Sequence, residues 1–164
     1  MLSLQDSFIL IFSILIIIFI ISYFFTKLNK LDNDNIEQDL LKNYMGFLLI
    51  IFGLLKLYDL KKFTEIFSKY DLISKNIKIY AFLYPFIEIF LGLLMLKNIK
   101  LRVVNFITLF LVIISIISVS LSLKNGIQLR CGCIGTLFHI PLSYITISEN
   151  ILMLIILFKK LLSN

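Results

Sequence analysis

Several residue types are scarce in this chain of 164 residues. It has no tryptophan, a single histidine, His139, and only two cysteines, and no G-x-G-x-x-G sequence occurs. With one histidine and no such glycine motif, the sequence lacks the fingerprints of haem ligation and dinucleotide binding. Charged residues make up 16 % of the chain and hydrophobic residues 60 %, whereas soluble domains are about a quarter charged and about half apolar. The composition therefore excludes a soluble domain and predicts a membrane protein.

Five long apolar runs, nearly free of charge, are each long enough for a helix that crosses a hydrocarbon layer of roughly 30 Å. We expect spans at about 8–25, 44–60, 78–96, 101–123 and 141–158. No lysine or arginine precedes the first run and no small-residue cleavage site follows it, so we expect a retained anchor rather than a cleaved signal peptide. The pattern predicts an all-α integral membrane protein with an anchor at 1–26, a polar linker at 27–43 and a compact four-helix unit at 44–158.

The link between the second and third runs has a helical pattern of its own. At about 59–70, apolar side chains recur at steps of three and four residues between charged ones, at Leu60, Phe63, Ile66, Phe67 and Tyr70. This spacing predicts an amphipathic helix that lies in the membrane interface with its apolar side down. Such a helix either covers the bundle as a structural element or roofs a pocket beneath the cysteines.

The sixteen lysine and arginine residues, which give a formal net charge of +6, are scattered at the ends of the apolar runs. This distribution indicates headgroup anchors and topology signals, so we expect no nucleic-acid partner. Five spans put the amino terminus and the cysteine segment on one face, and the two faces carry nearly equal basic charge. Because Lys27 and Lys30 follow the first run and no basic residue precedes it, we expect the cysteines on the exoplasmic side of a bacterial cytoplasmic membrane.

The two cysteines stand one glycine apart in a short polar link between two apolar runs, in Leu129-Arg130-Cys131-Gly132-Cys133-Ile134-Gly135-Thr136. This spacing puts the alpha carbons about 6–7 Å apart, near the upper limit for a disulfide, and strained, accessible bridges tend to be catalytic or regulatory. The same thiolates suit a soft metal ion such as Cu(I), with His139 as a third ligand or as a base that activates a thiol. In the structural alternative the cysteines are inert and His139 marks the headgroup layer.

Two carboxylates, Glu88 and Glu149, lie near the middle of apolar runs. An ionisable group at such a depth costs at least ~2.5–3.5 kcal/mol, so we expect both to face the bundle interior, as parts of a pathway or as packing contacts. Lys56, near the end of the second run, reaches towards them, extends to the membrane surface, or pairs with Asp59 three residues later. Tyr84 is among the polar side chains that would bond a buried acid.

Several stretches of the chain, in order and at natural spacing, resemble the MauE branch of the MauE/DoxX redox-associated membrane proteins. They include Gly53-Leu54-Leu55-Lys56-Leu57-Tyr58-Asp59, Lys69-Tyr70-Asp71-Leu72, Tyr84-Pro85-Phe86-Ile87-Glu88, Cys131-Gly132-Cys133-Ile134-Gly135-Thr136 and Ser148-Glu149-Asn150. The resemblance covers about residues 44–158. It implies a DoxX-like four-helix transmembrane bundle, here preceded by one extra span, and a role in thiol redox or disulfide handling. The matching positions are Lys56, Asp59, Tyr70, Asp71, Pro85, Glu88, Cys131, Cys133 and Glu149.

The resemblance also suggests partners. The name-giving member of the family is tied to maturation of methylamine dehydrogenase, beside a thioredoxin-like protein. Some relatives carry a glutaredoxin-like or heavy-metal-associated domain ahead of the first span. Such domains are normally cytoplasmic, which conflicts with the exoplasmic side that the basic residues predict for the cysteines. Since the residues before the first run hold neither domain, we expect a thioredoxin-like, glutaredoxin-like or metal-carrier protein as a separate chain.

Three functions remain open at this point. In the first, Cys131 and Cys133 carry out thiol–disulfide exchange, with a quinone or a protein as the electron relay. The pocket or proton path beneath them would be lined by Lys56, Asp59, Tyr84, Glu88 and Glu149. In the second, the thiolates and His139 bind or transport copper or mercury. In the third, the protein is a membrane assembly factor without redox turnover, and the buried acids only fix the packing.

Overall fold

The computed structural model describes residues 4–29, 36–124 and 150–159. Every regular element within these ranges is a helix, which confirms the all-α prediction. In chain order the helices are α1 (Leu4–Leu28), α2 (Ile36–Tyr58), α3 (Leu60–Tyr70), α4 (Lys78–Leu96) and α5 (Leu101–Lys124), followed by the C-terminal helical segment Asn150–Lys159.

Within these ranges, three helices are long and apolar enough to cross a membrane, namely α2, α4 and α5. The bounds of α4 and α5 agree closely with the runs predicted at 78–96 and 101–123. The two remaining apolar stretches, Phe12–Leu28 in α1 and Asn150–Lys159, are shorter over the part that the structure describes. Membrane helices are therefore present, while the count of five spans stays a prediction.

The helix α2 begins within the polar stretch 27–43 and not at its end. Glu37 and Asp39 lie in its first turn, where carboxylates are favoured by the positive end of the helix dipole. The ammonium of Lys42 is buried, lies 3.0 Å from Asp39 and donates to Asn98 after α4. Residues 36–43 of the polar stretch are thus helical, and Lys42 links the start of α2 to the turn between α4 and α5.

Among the described elements, α2 and α4 form the most extensive contact between helices. They run antiparallel, since Gly46 lies against Gly92 and Gly53, further along α2, lies against Pro85, which is earlier in α4. A Cβ added at Gly92 would lie 2.6 Å from the carbonyl oxygen of Gly46, and one added at Gly53 would lie 3.0 Å from the carbonyl oxygen of Pro85. Only residues without a side chain allow two helix backbones to approach so closely, as small residues do in membrane helix pairs. We call this contact the α2–α4 seam.

The helix predicted at about 59–70 is present as α3. Asp59 caps its N-terminus, since Oδ1 accepts the backbone N–H of Lys62 at 3.2 Å. Phe63 and Phe67 are buried and their rings pack against that of Tyr84 on α4, with centroids 6.3 and 4.7 Å apart. The apolar side of α3 therefore covers the middle of the bundle, and its lysines stay exposed.

Candidate functional site

A buried ion pair joins α2 to α4. The Nζ of Lys56 lies 2.5 Å from each carboxylate oxygen of Glu88, and both residues are only 6 % exposed. Removing two charges from water is costly, and their attraction offsets that cost only when the contact geometry is good. The ammonium contacts both carboxylate oxygens, which meets this condition. Each charge therefore compensates the cost of burying the other in an apolar bundle.

The backbone geometry explains why these two side chains meet. Gly53 of α2 lies against Pro85 of α4, and Lys56 and Glu88 each follow these positions by three residues. Side chains on a helix incline towards its N-terminus, so on antiparallel helices the side chains of Lys56 and Glu88 incline towards each other. The α2–α4 seam therefore sets up the pair.

Aromatic rings surround the ammonium of Lys56. Its Nζ lies 4.8 Å from the ring centroid of Tyr84 and 5.9 Å from that of Phe63. Within about 6 Å the face of an aromatic ring attracts a cation, and the attraction is larger where water is excluded. Tyr84, which sequence analysis placed beside a buried acid, thus contacts the cation of the pair and stands one helical turn before Glu88.

A cavity of about 40 Å³ borders the ion pair. Besides Lys56 and Glu88, its polar lining comes from Tyr70, Tyr84, Thr108, Ser115 and Asn150; the rest is apolar or aromatic. One water molecule needs ~10–15 Å³ of such space and two to four polar partners. The cavity therefore has room and partners for a few waters beside a charged pair in the middle of the bundle.

The structure brings together three of the predicted site residues, Lys56, Tyr84 and Glu88. It places Asp59 elsewhere, as the cap of α3, so Lys56 pairs with Glu88 rather than with Asp59. Of the other positions matched by the resemblance, Tyr70 lines the cavity. Four predicted site residues lie outside the described residues: Cys131, Cys133, His139 and Glu149.

Asp71, another matched position, is a buried carboxylate that holds the turn between α3 and α4. Its Oδ2 accepts the backbone N–H of Ile73 at 3.0 Å and both the N–H and the hydroxyl of Ser74 at 2.8 Å. Its Oδ1 accepts the hydroxyl of Ser118 on α5 at 3.3 Å. This carboxylate therefore fastens the end of α3 to α5.

Sequence analysis missed the hydroxyl residues of α5. Thr108 and Ser115 line the cavity, and the amide of Asn150 donates to Ser115 at 3.0 Å. The available signal was their spacing, because Thr108, Ser115, Ser118 and Ser122 recur near multiples of a helical turn within an apolar run.

Across residues 4–29, 36–124 and 150–159, no group of three or more histidine, cysteine, aspartate or glutamate side chains is placed to hold a metal ion. The described site is therefore an ion pair beside a small polar cavity. The metal ligands suggested by the sequence, Cys131, Cys133 and His139, are beyond these ranges.

Comparison with known proteins gives one match. The family model described as methylamine utilisation protein MauE matches residues 34–162. No curated protein and no solved structure matches the chain. The matched range includes the α2–α4 seam, the Lys56–Glu88 pair and both cysteines, and it is well over half of the chain. The chain therefore belongs to the MauE family of membrane proteins.

Proposed function

We propose that this protein carries out thiol–disulfide exchange at a bacterial cytoplasmic membrane through Cys131 and Cys133, and so assists the maturation of partner proteins. One observation carries the proposal. The only two cysteines, one glycine apart, stand in the link between α5 and the segment Asn150–Lys159, and both of these flanking elements line the Lys56–Glu88 cavity. In the sequence, the dithiol is therefore flanked on both sides by elements that line a buried polar site.

The exchange needs only Cys131, Cys133 and one disulfide of a partner protein. One thiolate of the pair attacks a partner disulfide, forming a mixed disulfide and releasing one partner thiolate. The second thiolate then attacks the mixed disulfide, closing Cys131 to Cys133 and releasing the second partner thiolate. The partner is reduced by two electrons, this chain is oxidised by two, and two protons pass from its thiols to the partner. A thioredoxin-like or glutaredoxin-like dithiol, as a separate chain, reverses the step.

In this proposal the Lys56–Glu88 pair serves the exchange by holding charge and a few water molecules in the cavity. We propose Glu149, which directly precedes the cavity-lining Asn150 in the sequence, as a further carboxylate of the pocket or proton path. Lys56, Glu88 and Tyr84 supply charge and hydrogen bonding next to a few waters. Asp59 has a structural part as a helix cap.

A quinone does not fit the described cavity. A benzene-sized guest occupies an apolar cavity of about 150 Å³, and the cavity beside Lys56 has about 40 Å³. In this proposal a protein dithiol or disulfide, and not a quinone, is therefore the exchange partner.

The proposal extends to the architecture. We propose five spans, with an anchor at 1–26, a linker at 27–43 and a DoxX-like four-helix domain at 44–158. The apolar character of the first and last helical stretches supports this count. Four spans precede the cysteine segment, so it lies on the same face as the amino terminus in this proposal. Because Lys27 and Lys30 follow the first span, that face is the exoplasmic one.

Trapping of mixed disulfides tests the function. Of the variants Cys131→Ser and Cys133→Ser, one keeps the attacking thiol and lacks the resolving thiol. In that variant a partner is expected to accumulate as a covalent adduct that dithiothreitol releases. The double variant contains no cysteine at all and is the matched control. Absence of any adduct with both single variants, under oxidising and reducing growth, would contradict the proposal.

Labelling of intact cells with an impermeant maleimide tests side and redox state together. We expect labelling before lysis, increased by prior reduction. Thiols that stay reduced and bind Cu(I) in the purified protein, with loss of binding in the double variant, would favour the metal function instead. A double variant that supports normal partner maturation would favour the assembly factor.

A further inference from the structure

We propose that a groove between α3 and α4 binds the headgroup of a phospholipid that carries a primary ammonium, of the phosphatidylethanolamine type. The groove has a volume of about 610 Å³ and lies where α2 ends and α3 begins. Sites for small molecules typically have volumes of ~300–1,000 Å³. The groove shares no lining residue with the Lys56–Glu88 cavity, so the proposal is independent of the disulfide exchange proposed above.

The position of the groove along α4 places it at the headgroup layer of a membrane. One of its walls is Phe82, which is 46 % exposed. Phe82 follows Lys78, the first residue of α4, by four residues, or ~6 Å along the helix axis. Because lysines at the ends of membrane helices extend to the interface, Phe82 lies where the headgroups meet the acyl chains. Tyr58, the last residue of α2, also lines the groove and is 74 % exposed, as is typical of tyrosine at an interface.

The groove carries charge of both signs. Its charged lining residues are Asp59, Lys61 and Glu65, and Lys61 and Glu65 are exposed on α3. These two stand four residues apart, with lysine before glutamate, which is the less favourable order for a pair on a helix. Among the ion pairs of the described residues, none joins Lys61 to Glu65. Both charges are therefore open to a ligand in the groove.

Apart from the ammonium of Lys61, the polar side chains of α3 in the groove are mainly acceptors. The hydroxyl of Thr64 donates to the carbonyl oxygen of Leu60 at 2.7 Å, so its own oxygen is left to accept. The carboxylates of Asp59 and Glu65 only accept when they are ionised. Two carboxylates outnumber one ammonium, so the groove has a negative formal charge and favours a ligand with a cationic donor.

A zwitterionic headgroup with a primary ammonium matches this set of charges. Its phosphate is attracted to the ammonium of Lys61. Its own ammonium has three N–H donors for the acceptors Asp59, Thr64 and Glu65. The trimethylammonium of phosphatidylcholine has no N–H to donate, and the anionic headgroup of phosphatidylglycerol would meet two carboxylates and one cation. The charges therefore favour phosphatidylethanolamine over both.

The aromatic walls suit the rest of the lipid. The exposed rings of Tyr58 and Phe82 offer apolar surface to the first part of the acyl chains, next to the charged side of α3. A lipid in this position contacts α3 through its headgroup and α4 through its chains. It thereby joins the roof of the Lys56–Glu88 cavity to the outer side of α4.

Fluorescence quenching in nanodiscs tests the proposal. The chain has no tryptophan, so Phe82→Trp supplies a single reporter in the groove and keeps an aromatic ring there. The full chain is placed in phosphatidylcholine nanodiscs in which an equal small fraction of lipid is brominated phosphatidylethanolamine, phosphatidylcholine or phosphatidylglycerol. Bromine quenches nearby tryptophan, so the ratios of quenching give relative association constants. We expect phosphatidylethanolamine to associate about tenfold more strongly than phosphatidylcholine, as charge-assisted hydrogen bonds would provide.

Charge-neutralising variants in the same background identify the contacts. The double variant Asp59→Asn with Glu65→Gln removes both carboxylates, while asparagine still caps α3. It is expected to quench equally with phosphatidylethanolamine and phosphatidylcholine. Lys61→Gln is expected to lower the association of phosphatidylglycerol relative to phosphatidylcholine. Lys62→Gln changes an exposed lysine of α3 outside the groove and is the matched control, with the original ratios expected.

A reporter at similar depth outside the groove shows whether the preference is local. Leu121→Trp, with the original Phe82, serves this purpose, since Leu121 is 44 % exposed and lies three residues before Lys124, the last residue of α5. The ends of α5 and α3 lie at the same end of the bundle, as the contact between Ser118 and Asp71 shows. We expect no preference for phosphatidylethanolamine at this position.

Five outcomes would overturn the proposal. They are equal quenching by phosphatidylethanolamine and phosphatidylcholine at Phe82→Trp, stronger quenching there by phosphatidylglycerol than by phosphatidylethanolamine, an unchanged preference in the double carboxylate variant, equal effects of Lys61→Gln and Lys62→Gln, and the same preference at Leu121→Trp. None of these measurements depends on Cys131 or Cys133. The lipid site and the disulfide exchange therefore stand or fall separately.

Discussion

Lys56 and Glu88, which stand 32 residues apart in the chain, meet across the α2–α4 seam at 2.5 Å. Each side chain satisfies the other in a part of the bundle from which bulk water is excluded. The pair therefore contributes to stability and also supplies the charges of the candidate site. Variants can distinguish these two roles.

Replacing one member of the pair is expected to destabilise the protein strongly. Lys56→Met leaves the carboxylate of Glu88 buried without its cation, and breaking a buried pair in this way costs about 3–5 kcal/mol. The double variant Lys56→Met with Glu88→Leu leaves no orphaned charge and is expected to regain much of the lost stability. Reversible unfolding in mixed micelles measures both. A double variant that is less stable than either single one would show that the pair is not the source of the effect.

The roof of the cavity is expected to tolerate little truncation. Phe67 is buried between Tyr70, Tyr80 and Tyr84, so Phe67→Ala opens a void and should cost about 3–5 kcal/mol. It also enlarges the space next to Lys56. Phe82→Ala is the matched control, since Phe82 is 46 % exposed on the outer side of α4. Thermal unfolding compares the two, and equal losses would contradict the assignment of α3 as a packed roof.

Adding even one methyl group within the α2–α4 seam is expected to destabilise the protein. In Gly92→Ala the new Cβ would lie 2.6 Å from a backbone oxygen of Gly46, which cannot move aside as a side chain can. Overpacking of this kind costs typically about 1–3 kcal/mol. The neighbouring Leu93→Ala, at an exposed position, serves as control. If Gly92→Ala unfolds at the same denaturant concentration as the original chain, the close approach is not required.

The two capping carboxylates are expected to differ in importance. Asp71→Ala would leave several donors at a buried turn without an acceptor, at about 1–3 kcal/mol for each donor that water does not reach. Asp59→Ala removes one exposed cap bond, which is worth about 1 kcal/mol. Amide hydrogen exchange around residues 71–77 should rise in Asp71→Ala and remain unchanged in Asp59→Ala. The reverse order would contradict the role of Asp71 in holding α3 to α5.

Much of the fold could be predicted from the sequence because the signals are local. Apolar runs located α4 and α5 closely, and the three- and four-residue spacing of apolar residues located α3. The depth of Glu88 in its run already required a partner in the interior. The start of α2 was less predictable, because charged residues such as Glu37, Asp39 and Lys42 are typical of a linker. Only the structure shows that Lys42 contacts Asp39 and Asn98 at the start of a helix.

The sequence by itself determined the helices and their apolar character. It also determined that a lysine and a glutamate need polar or charged partners within the bundle. It left three alternatives for the side chain of Lys56: contact with a buried acid, extension to the membrane surface, or a pair with Asp59. Only the tertiary structure decided among them, because Gly46, Gly53 and Gly92 bring two helices together closely enough for Lys56 to reach Glu88, while Asp59 begins another helix. Backbone approach between distant segments depends on how whole helices pack, and no local pattern of residues encodes it.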